Sequence, residues 1–254
     1  MSKYQQQFID AVALKQKKFA ILIDPDKATE QHLEKIIRLS HEAIVDYFFV
    51  GGSILVNGAL EKTIDYLKSK TKTPVIIFPG TQTQIYNKAD ALLLLSLISG
   101  RNPELLIGNH VQAAANLRNS QLEIMSTGYV LIDGGIETAV TYISNTRPIP
   151  SNKPEISVMT CLAGEMLGLK NIYLEAGSGA KVPVSENIIR QVREHISIPI
   201  IVGGGISNPE IAFKIAQAGA DILVVGNAIE KESNILIGIS EAIKSVERSH
   251  NLNA

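Results

Sequence analysis

Oxygen-bearing side chains follow two short apolar segments near the start of the chain. Asp24 and Asp26 come directly after the apolar run 19–23, and Ser53 follows a pair of glycines at the end of the next run. Carboxylate and hydroxyl oxygens are the ligands that Mg²⁺ prefers, and we expect Asp24 to be the carboxylate that faces a ligand. The same residues also favour a turn in which Asp26 caps the next helix. These residues alone leave both interpretations open.

The segment 173–179, Tyr-Leu-Glu-Ala-Gly-Ser-Gly, places a carboxylate beside a glycine-rich turn. Successive backbone N–H groups in such a turn bind anions. Glu175 is therefore a candidate general base, and Tyr173 is a candidate partner for a ligand hydroxyl. An exposed flexible loop is the alternative interpretation.

Two more glycine motifs follow apolar runs late in the chain. Gly-Gly-Gly-Ile-Ser occupies 203–207, and Gly-Asn-Ala-Ile occupies 226–229. Phosphate sites in (β/α)₈ barrels are commonly built from the last two loops and a helix N-terminus. The pair of motifs at consecutive strand ends therefore predicts a phosphate site.

The elements that must position these residues alternate between short apolar runs and longer amphipathic segments. Eight apolar runs have the composition of buried parallel strands; they cover 19–23, 43–50, 74–78, 91–95, 128–132, 171–174, 199–202 and 221–225. Helix signals lie between most of them, including apolar spacing over 29–37, Ser185 as an N-cap residue, and Asn208 before Pro209. The pattern predicts one α/β domain over 1–254, a (β/α)₈ TIM-type barrel, with an open doubly wound sheet as the rival.

One β/α step is irregular. Residues 79–86 are short and turn-rich where the third helix belongs, so we predict that this helix is missing or replaced by a loop. His110 lies near the start of the fourth helix, where a lone histidine is expected to be a capping or surface residue.

Composition excludes several classes of function. The chain has 24 Lys and Arg against 25 Asp and Glu, a net charge of −1, so no basic excess indicates nucleic-acid binding. Cys161 is the only cysteine, which fits a reducing compartment. The N-terminus lacks an apolar signal core and no run is long enough to span a bilayer, so we expect a cytoplasmic protein. Peripheral membrane contact stays open.

Together these segments resemble the geranylgeranylglyceryl phosphate synthase family. The resemblance extends over 19–230 and is carried by five motifs in order, at 24–27, 51–53, 173–179, 203–207 and 226–229. The combination of Asp-Pro-Asp-Lys with Tyr-x-Glu-x-Gly-Ser-Gly is its most specific part, since the glycine motifs alone occur in many phosphate-binding barrels.

The resemblance implies a Mg²⁺-dependent prenyltransferase that joins a polyprenyl diphosphate to the 3-hydroxyl of sn-glycerol 1-phosphate and releases diphosphate. It implies Mg²⁺ at Asp24 and Ser53, and catalytic roles for Glu175 and Tyr173. It also implies contacts to glycerol phosphate from Tyr173, Leu174, Glu175, Ala176, Gly177, Ser178, Gly179, Gly204, Gly205, Gly226 and Asn227. In one branch of the family a lysine precedes the metal-binding aspartate by two residues; Leu22 stands there in this chain, which indicates the other branch and removes one phosphate contact.

The isoprenoid tail of such a substrate needs a long apolar groove, which we expect in the gap left by the third helix. A homo-oligomer is expected because barrels of this kind often associate. Two alternatives to the prenyltransferase remain. One is another phosphate-binding barrel isomerase or synthase, and the other is a non-catalytic barrel that binds a phosphorylated metabolite.

Overall fold

The computed structural model describes residues 2–81 and 83–251. Eight parallel strands pair in chain order and close into a barrel, with β8 hydrogen-bonded to β1. The strands are β1 Lys18–Ile23, β2 Tyr47–Val50, β3 Val75–Ile77, β4 Ala91–Leu97, β5 Glu123–Leu131, β6 Asn171–Glu175, β7 Ile200–Gly203 and β8 Ile222–Val225. The predicted (β/α)₈ barrel is therefore confirmed, and the open sheet is not formed.

Helices surround the barrel and connect most of the strands. They are α1 Lys3–Ala13, α2 Glu30–Glu42, α3 Leu60–Lys70, α4 Asn109–Arg118, α5 Ala139–Ser144, α6 Pro154–Met166, α7 Glu186–His195, α8 Pro209–Ala218, α9 Asn227–Lys231 and α10 Ile235–Asn251, with a π-helical turn Glu104–Gly108 leading into α4. Of the helices in the described part of the chain, none is both long and apolar enough to cross a bilayer.

The predicted helix starts are confirmed. The side chains of Thr29, Ser185 and Asn208 accept hydrogen bonds from the backbone N–H groups three residues ahead and begin α2, α7 and α8. The predicted gap is also confirmed, because no helix forms between β3 and β4 in the described residues; Gln82, inside the predicted segment 79–86, lies outside them.

Two strand boundaries differ from the sequence prediction by more than two residues. The second strand begins at Tyr47, not at residue 43, because Ile44 has a φ of 49° and the chain turns there before the strand. The fifth strand begins at Glu123, five residues earlier than predicted, because Glu123, Ser126 and Thr127 interrupt the apolar pattern that served as the signal.

Alternate residues of each strand face the barrel interior or the helices. Phe48 packs in the layer between strands and helices, whereas Tyr47 and Phe49 point into the interior. The interior also contains Tyr129 and Tyr173 and is unusually rich in aromatic side chains for so small a space. Some of these aromatic side chains, including Tyr129 and Tyr173, also line the open end of the barrel.

Helix α1 closes the opposite end, where the strands begin. Phe8 is fully buried in the interior cluster, and the Gln5 side chain donates to Asn171 of β6 at 2.9 Å. The Glu123 carboxylate accepts the backbone N–H groups of Tyr4 and Gln5 at 2.9 and 2.6 Å. A glutamate distant in sequence thus caps the first turn of α1 and fixes the closed end.

This cap predicts the effect of removing the carboxylate. Glu123→Ala is expected to lower the free energy of unfolding by about 1–2 kcal/mol, the usual contribution of a helix cap. Urea unfolding followed by circular dichroism measures it. Glu241→Ala, in an exposed position of α10, is the matched control; equal stability of the two variants would show that Glu123 does not hold α1 in place.

Candidate active site

The carboxyl ends of the strands surround a cavity of about 520 Å³, called here the mouth. Ten of the predicted site residues line it: Asp24, Ser53, Tyr173, Glu175, Ser178, Gly179, Gly204, Gly205, Gly226 and Asn227. Leu174 and Ala176 instead face the helix layer, since they alternate with Tyr173 and Glu175 along the strand. Gly177 is set back, and its N–H donates to Glu175. These three residues can reach a ligand in the mouth only through their backbone.

Glu175 is the last residue of β6 and the most deeply buried carboxylate of the mouth. It is 5% exposed, and one carboxylate oxygen accepts the N–H of Gly177 at 2.6 Å. Burial raises the pKa of Glu175 to about 7, although the Gly177 N–H and the hydroxyls of Tyr173 and Tyr129 act in the opposite direction. A carboxyl group with a pKa near neutrality is suited to accept a proton in catalysis.

Three aromatic rings surround Glu175. The Tyr173 ring centroid lies 5.3 Å from that of Phe78 and 5.4 Å from that of Tyr129, and the Phe78 and Tyr129 rings meet edge to face at 6.0 Å. The Tyr173 hydroxyl is close enough to affect the Glu175 carboxyl group, yet among the described residues no partner meets it in hydrogen-bonding geometry. Burial also raises the pKa of both tyrosines well above the usual range. Both phenols therefore remain protonated.

Glycine loops form the wall of the mouth beside Glu175. Gly204 has a φ of 83°, and a Cβ at this position would lie 2.4 Å from the Glu175 carboxylate. The Ser178 hydroxyl donates to the side-chain oxygen of Asn227 at 3.0 Å, which joins the loop after β6 to the start of α9. Bare backbone and hydroxyl groups face the cavity here, an arrangement that favours a phosphate group.

Asp24 and Ser53, the predicted metal ligands, both line the mouth. Asp24 accepts the N–H of Asp26 at 3.1 Å and pairs with the Lys27 ammonium group at 3.0 Å. Mg²⁺ commonly binds one or two carboxylates and completes its shell with water and substrate phosphate oxygens. One carboxylate and one hydroxyl fit a Mg²⁺ ion that enters with a phosphorylated substrate. Within 2–81 and 83–251, no group of three or more His, Cys, Asp or Glu could hold a metal ion alone.

Asp26 has a different role from the helix cap that its position suggested. Thr29 caps α2, whereas the Asp26 carboxylate accepts the backbone N–H groups of Val56 and Asn57 at 2.6 and 3.1 Å. The loop that carries Asp24 thereby holds the loop that carries Ser53. The Asp-Pro-Asp-Lys motif therefore supplies two carboxylates with different roles. Asp24 lines the mouth, and Asp26 aligns the neighbouring loop.

A second cavity, of about 120 Å³ and mostly apolar, adjoins the mouth. The two share Ser53, Phe78, Tyr129 and Val140 in their linings. The apolar cavity extends along β4 beneath α4 and α5, and its lining includes Gly80 from the segment that replaces the third helix. The predicted gap therefore coincides with an apolar space that opens beside the site.

His110 lies in the wall of this apolar cavity, so its expected surface or capping role is wrong. Its Nε2 is 2.9 Å from the Ser96 hydroxyl, and within the described residues its Nδ1 is buried without a hydrogen-bond partner. Burial lowers the pKa of His110, although a backbone contact with Leu95 acts to raise it. A neutral imidazole is therefore favoured at this position.

Sequence reasoning missed several residues of the mouth, among them Lys27, Phe78, Tyr129 and Glu230. Phe78 and Tyr129 looked like ordinary strand residues. Alternate residues of a strand face the barrel interior, and both residues share the interior face with Tyr173. That alternation was the signal that could have identified them. Lys27 and Glu230 belonged to quoted or adjoining motifs, but their pairing depends on closure of the barrel, which makes β1 and β8 neighbours.

The closed barrel and its mouth define a class, the (β/α)₈ barrels that bind phosphorylated ligands at the carboxyl ends of the strands. Within that class the model of the PcrB family matches residues 12–247. The chain therefore belongs to the PcrB family.

Relatives of the chain carry the activity that the motifs implied. This chain is 50% identical over 242 residues to the geranylgeranylglyceryl phosphate synthase of Chitinophaga pinensis, and the match covers 95% of this chain and 96% of the relative. It is 38% identical over 247 residues to that of Pyrococcus horikoshii, with 97% and 95% covered. The structure of the Thermoplasma acidophilum enzyme with its substrate sn-glycerol 1-phosphate superposes with a TM-score of 0.90, at 34% identity, over 96% of this chain and 100% of the other. The predicted resemblance is confirmed.

The buried carboxylate predicts a pH-dependent stability. The folded state holds Glu175 with a pKa of about 7 against an ordinary value of 4.5, so stability falls as pH rises from about 4.5 to 7. Glu175→Gln, which keeps an acceptor for Gly177, is expected to be more stable than the original chain at pH 8 by up to about 3 kcal/mol. The advantage should disappear near pH 4.5.

Urea unfolding at pH 5 and pH 8 measures this difference, with the exposed Glu241→Gln as the control. A Glu175→Gln variant with the same stability difference at both pH values would contradict the raised pKa.

Proposed function

We propose that this chain transfers a polyprenyl group from its diphosphate to the 3-hydroxyl of sn-glycerol 1-phosphate, with Mg²⁺ bound at Asp24 and Ser53. The observation that carries the proposal is the position of Glu175. It is buried in a glycine-lined mouth suited to phosphate, and this mouth adjoins an apolar cavity suited to a hydrocarbon chain. The family's activity requires that combination.

The glycerol phosphate binds on the glycine side of the mouth. The Thermoplasma acidophilum enzyme holds sn-glycerol 1-phosphate, and this chain offers the loops around Gly179, Gly204 and Gly226. Backbone N–H groups without side-chain bulk let a phosphate approach closely. The hydrogen bond between Ser178 and Asn227 aligns two of these loops before the ligand arrives. A phosphate bound there directs the glycerol hydroxyls toward Glu175.

The prenyl chain binds in the apolar cavity, and its diphosphate lies at the rim. Ser53 lines both cavities, so the reactive end of the prenyl group reaches the mouth while the tail lies along β4. Bound Mg²⁺ neutralises diphosphate charge and makes it a better leaving group. Asp24 and Ser53 would hold the ion, and Asp26 keeps their two loops in register.

Glu175 and the aromatic rings carry out the remaining chemistry. The bond between the first prenyl carbon and its diphosphate oxygen breaks, and the electron pair leaves with diphosphate. The 3-hydroxyl oxygen of glycerol phosphate forms the new bond to that carbon, and its proton passes to the Glu175 carboxylate. The faces of Tyr129, Tyr173 and Phe78 stabilise positive charge at the allylic carbon. Their burial excludes water that would otherwise compete as the nucleophile.

We further propose that the enzyme works in the cytoplasm as a homo-oligomer. Cys161 is buried and its thiol pKa is raised by burial to about 12, so the thiol is unreactive and a reducing compartment suits the chain. Exposed apolar side chains on and after α6, among them Met159, Met166 and Leu167, support association of copies. Light scattering gives the mass in solution.

The reaction is tested with purified protein, sn-glycerol 1-phosphate, Mg²⁺ and allylic diphosphates from C10 to C35, with products identified by mass spectrometry. We expect an ether that disappears with EDTA and returns with added Mg²⁺. Glu175→Gln should reduce kcat by about 10²–10⁴, the usual contribution of a general base. In the original chain kcat/KM should fall as pH drops below about 7, since Glu175 is then protonated.

Sugar phosphates serve as the negative control, since a sugar-phosphate isomerase has no use for the apolar cavity. No ether from any diphosphate, in protein that still binds glycerol phosphate, would refute prenyl transfer. A phosphate-binding barrel of another activity would then remain.

The size of the apolar cavity predicts the accepted chain length. Ala113 of α4 is 4% exposed and lines the cavity, so Ala113→Phe should shorten the longest accepted prenyl chain by filling the space. Ala115→Phe, on the exposed side of the same helix, is the matched control. Competition between C15, C20 and C35 diphosphates measures the preference, and an unchanged preference in Ala113→Phe would place the tail elsewhere.

A further inference from the structure

The mouth has an unfavourable charge balance for a site that takes two phosphorylated substrates. The ionisable Asp, Glu and Lys residues in its lining are Asp24, Glu175, Glu230, Glu232, Lys27 and Lys181. Even without Glu175, three carboxylates outnumber two ammonium groups. A diphosphate at the rim would be repelled unless a cation is released to it, because these groups are only partly screened by water.

Lys27 is the cation held closest to the rim. Its ammonium nitrogen lies 3.0 Å from the Asp24 carboxylate and 3.4 Å from that of Glu230. Asp24 follows β1 and Glu230 belongs to α9, which follows β8, so the lysine joins the ends of two neighbouring strands. Its side chain is 55% exposed, which leaves it free to change partners at little cost in packing.

The surrounding residues offer no replacement for Lys27 at this position. Leu22, at the end of β1, reaches the mouth with an apolar side chain. Lys181 also lines the mouth but lies in the loop after β6, whereas Lys27 is paired directly with Asp24. Lys27 is therefore the ammonium group best placed to reach a diphosphate that binds near Asp24 and Ser53.

We infer that Lys27 is an exchangeable counter-ion, which neutralises Asp24 and Glu230 in the free enzyme and moves to the prenyl diphosphate when Mg²⁺ takes Asp24. This inference rests on the proposed function, because it assigns Lys27 to the diphosphate of that reaction. Asp24 stays paired during the exchange, because Mg²⁺ takes the place of the ammonium group, whereas Glu230 gives up its partner to the diphosphate. Lys27 and Mg²⁺ thus compete for one carboxylate but cooperate on one diphosphate.

Competition and cooperation give Lys27→Met two effects of opposite sign. Without diphosphate, Mg²⁺ should bind the variant several-fold more tightly, since its competitor for Asp24 is gone. With saturating Mg²⁺, inorganic diphosphate should bind about ten- to a hundredfold more weakly, as expected for the loss of one charge-assisted hydrogen bond. Glu230→Gln should bind diphosphate more tightly, because it removes both a repulsive charge and a competing partner. Lys27→Arg should restore most of the diphosphate affinity.

Isothermal titration calorimetry measures both affinities, with Mg²⁺ alone and then inorganic diphosphate as the probes. Lys35→Met, on the exposed face of α2, controls for the loss of one positive charge. In steady-state assays, Lys27→Met should raise KM for the prenyl diphosphate and leave KM for glycerol phosphate within about twofold.

Unchanged diphosphate affinity in Lys27→Met would overturn the inference, and so would weaker binding of Mg²⁺ and diphosphate alike, which indicates a structural role. Either result leaves the proposed function intact as long as the original chain forms the ether. Conversely, an original chain that forms no ether refutes the proposed function, whereas a selective loss of diphosphate binding in Lys27→Met would still assign this lysine to a diphosphate site.

Discussion

The burial of one carboxyl group, that of Glu175, constrains much of the open end of the barrel. A carboxylate away from water needs hydrogen-bond donors or becomes protonated. The Gly177 N–H supplies one donor at 2.6 Å, and this requires Gly177 to adopt a φ of 97°. In the neighbouring loop after β7, Gly204 must lack a side chain because a Cβ there would lie 2.4 Å from the carboxylate. Glycines that favour phosphate binding thus also make space for this carboxyl group.

Barrel closure then decides which residues surround that group. Tyr129 reaches Tyr173 because β5 pairs with β6 in a register that places the two tyrosines side by side. The loop after β1 lies against the loop after β2, where Asp26 binds the backbone at Val56. Parallel pairing thereby brings together residues that are distant in the sequence. Hydrogen bonds to a neighbouring loop then help to align each loop.

Much of this arrangement was predictable from the sequence, for physical reasons that differ between residues. Apolar runs predicted eight strands because both faces of a parallel barrel strand are buried, and Asn208 before Pro209 predicted a helix start because the cap is local. Glu175 and the glycine loops were predictable because they follow strand ends. Tyr129 and the pairing of Lys27 with Glu230 were not, since both depend on which strands become neighbours after closure. The start of β5 was missed because Thr127 is polar but buried inside the sheet.

The gap between β3 and β4 shows how a missing element can serve a site. A helix at this position would cover β4, yet Leu94 and Leu95 remain half-buried and line the apolar cavity instead. Apolar surface left uncovered costs about 25 cal/mol per Å². The chain keeps this cavity open beside Glu175, under a π-helical turn of the kind often found at functional sites. An apolar ligand chain that covered this surface would regain that free energy on binding, so the uncovered surface at the gap favours such a ligand.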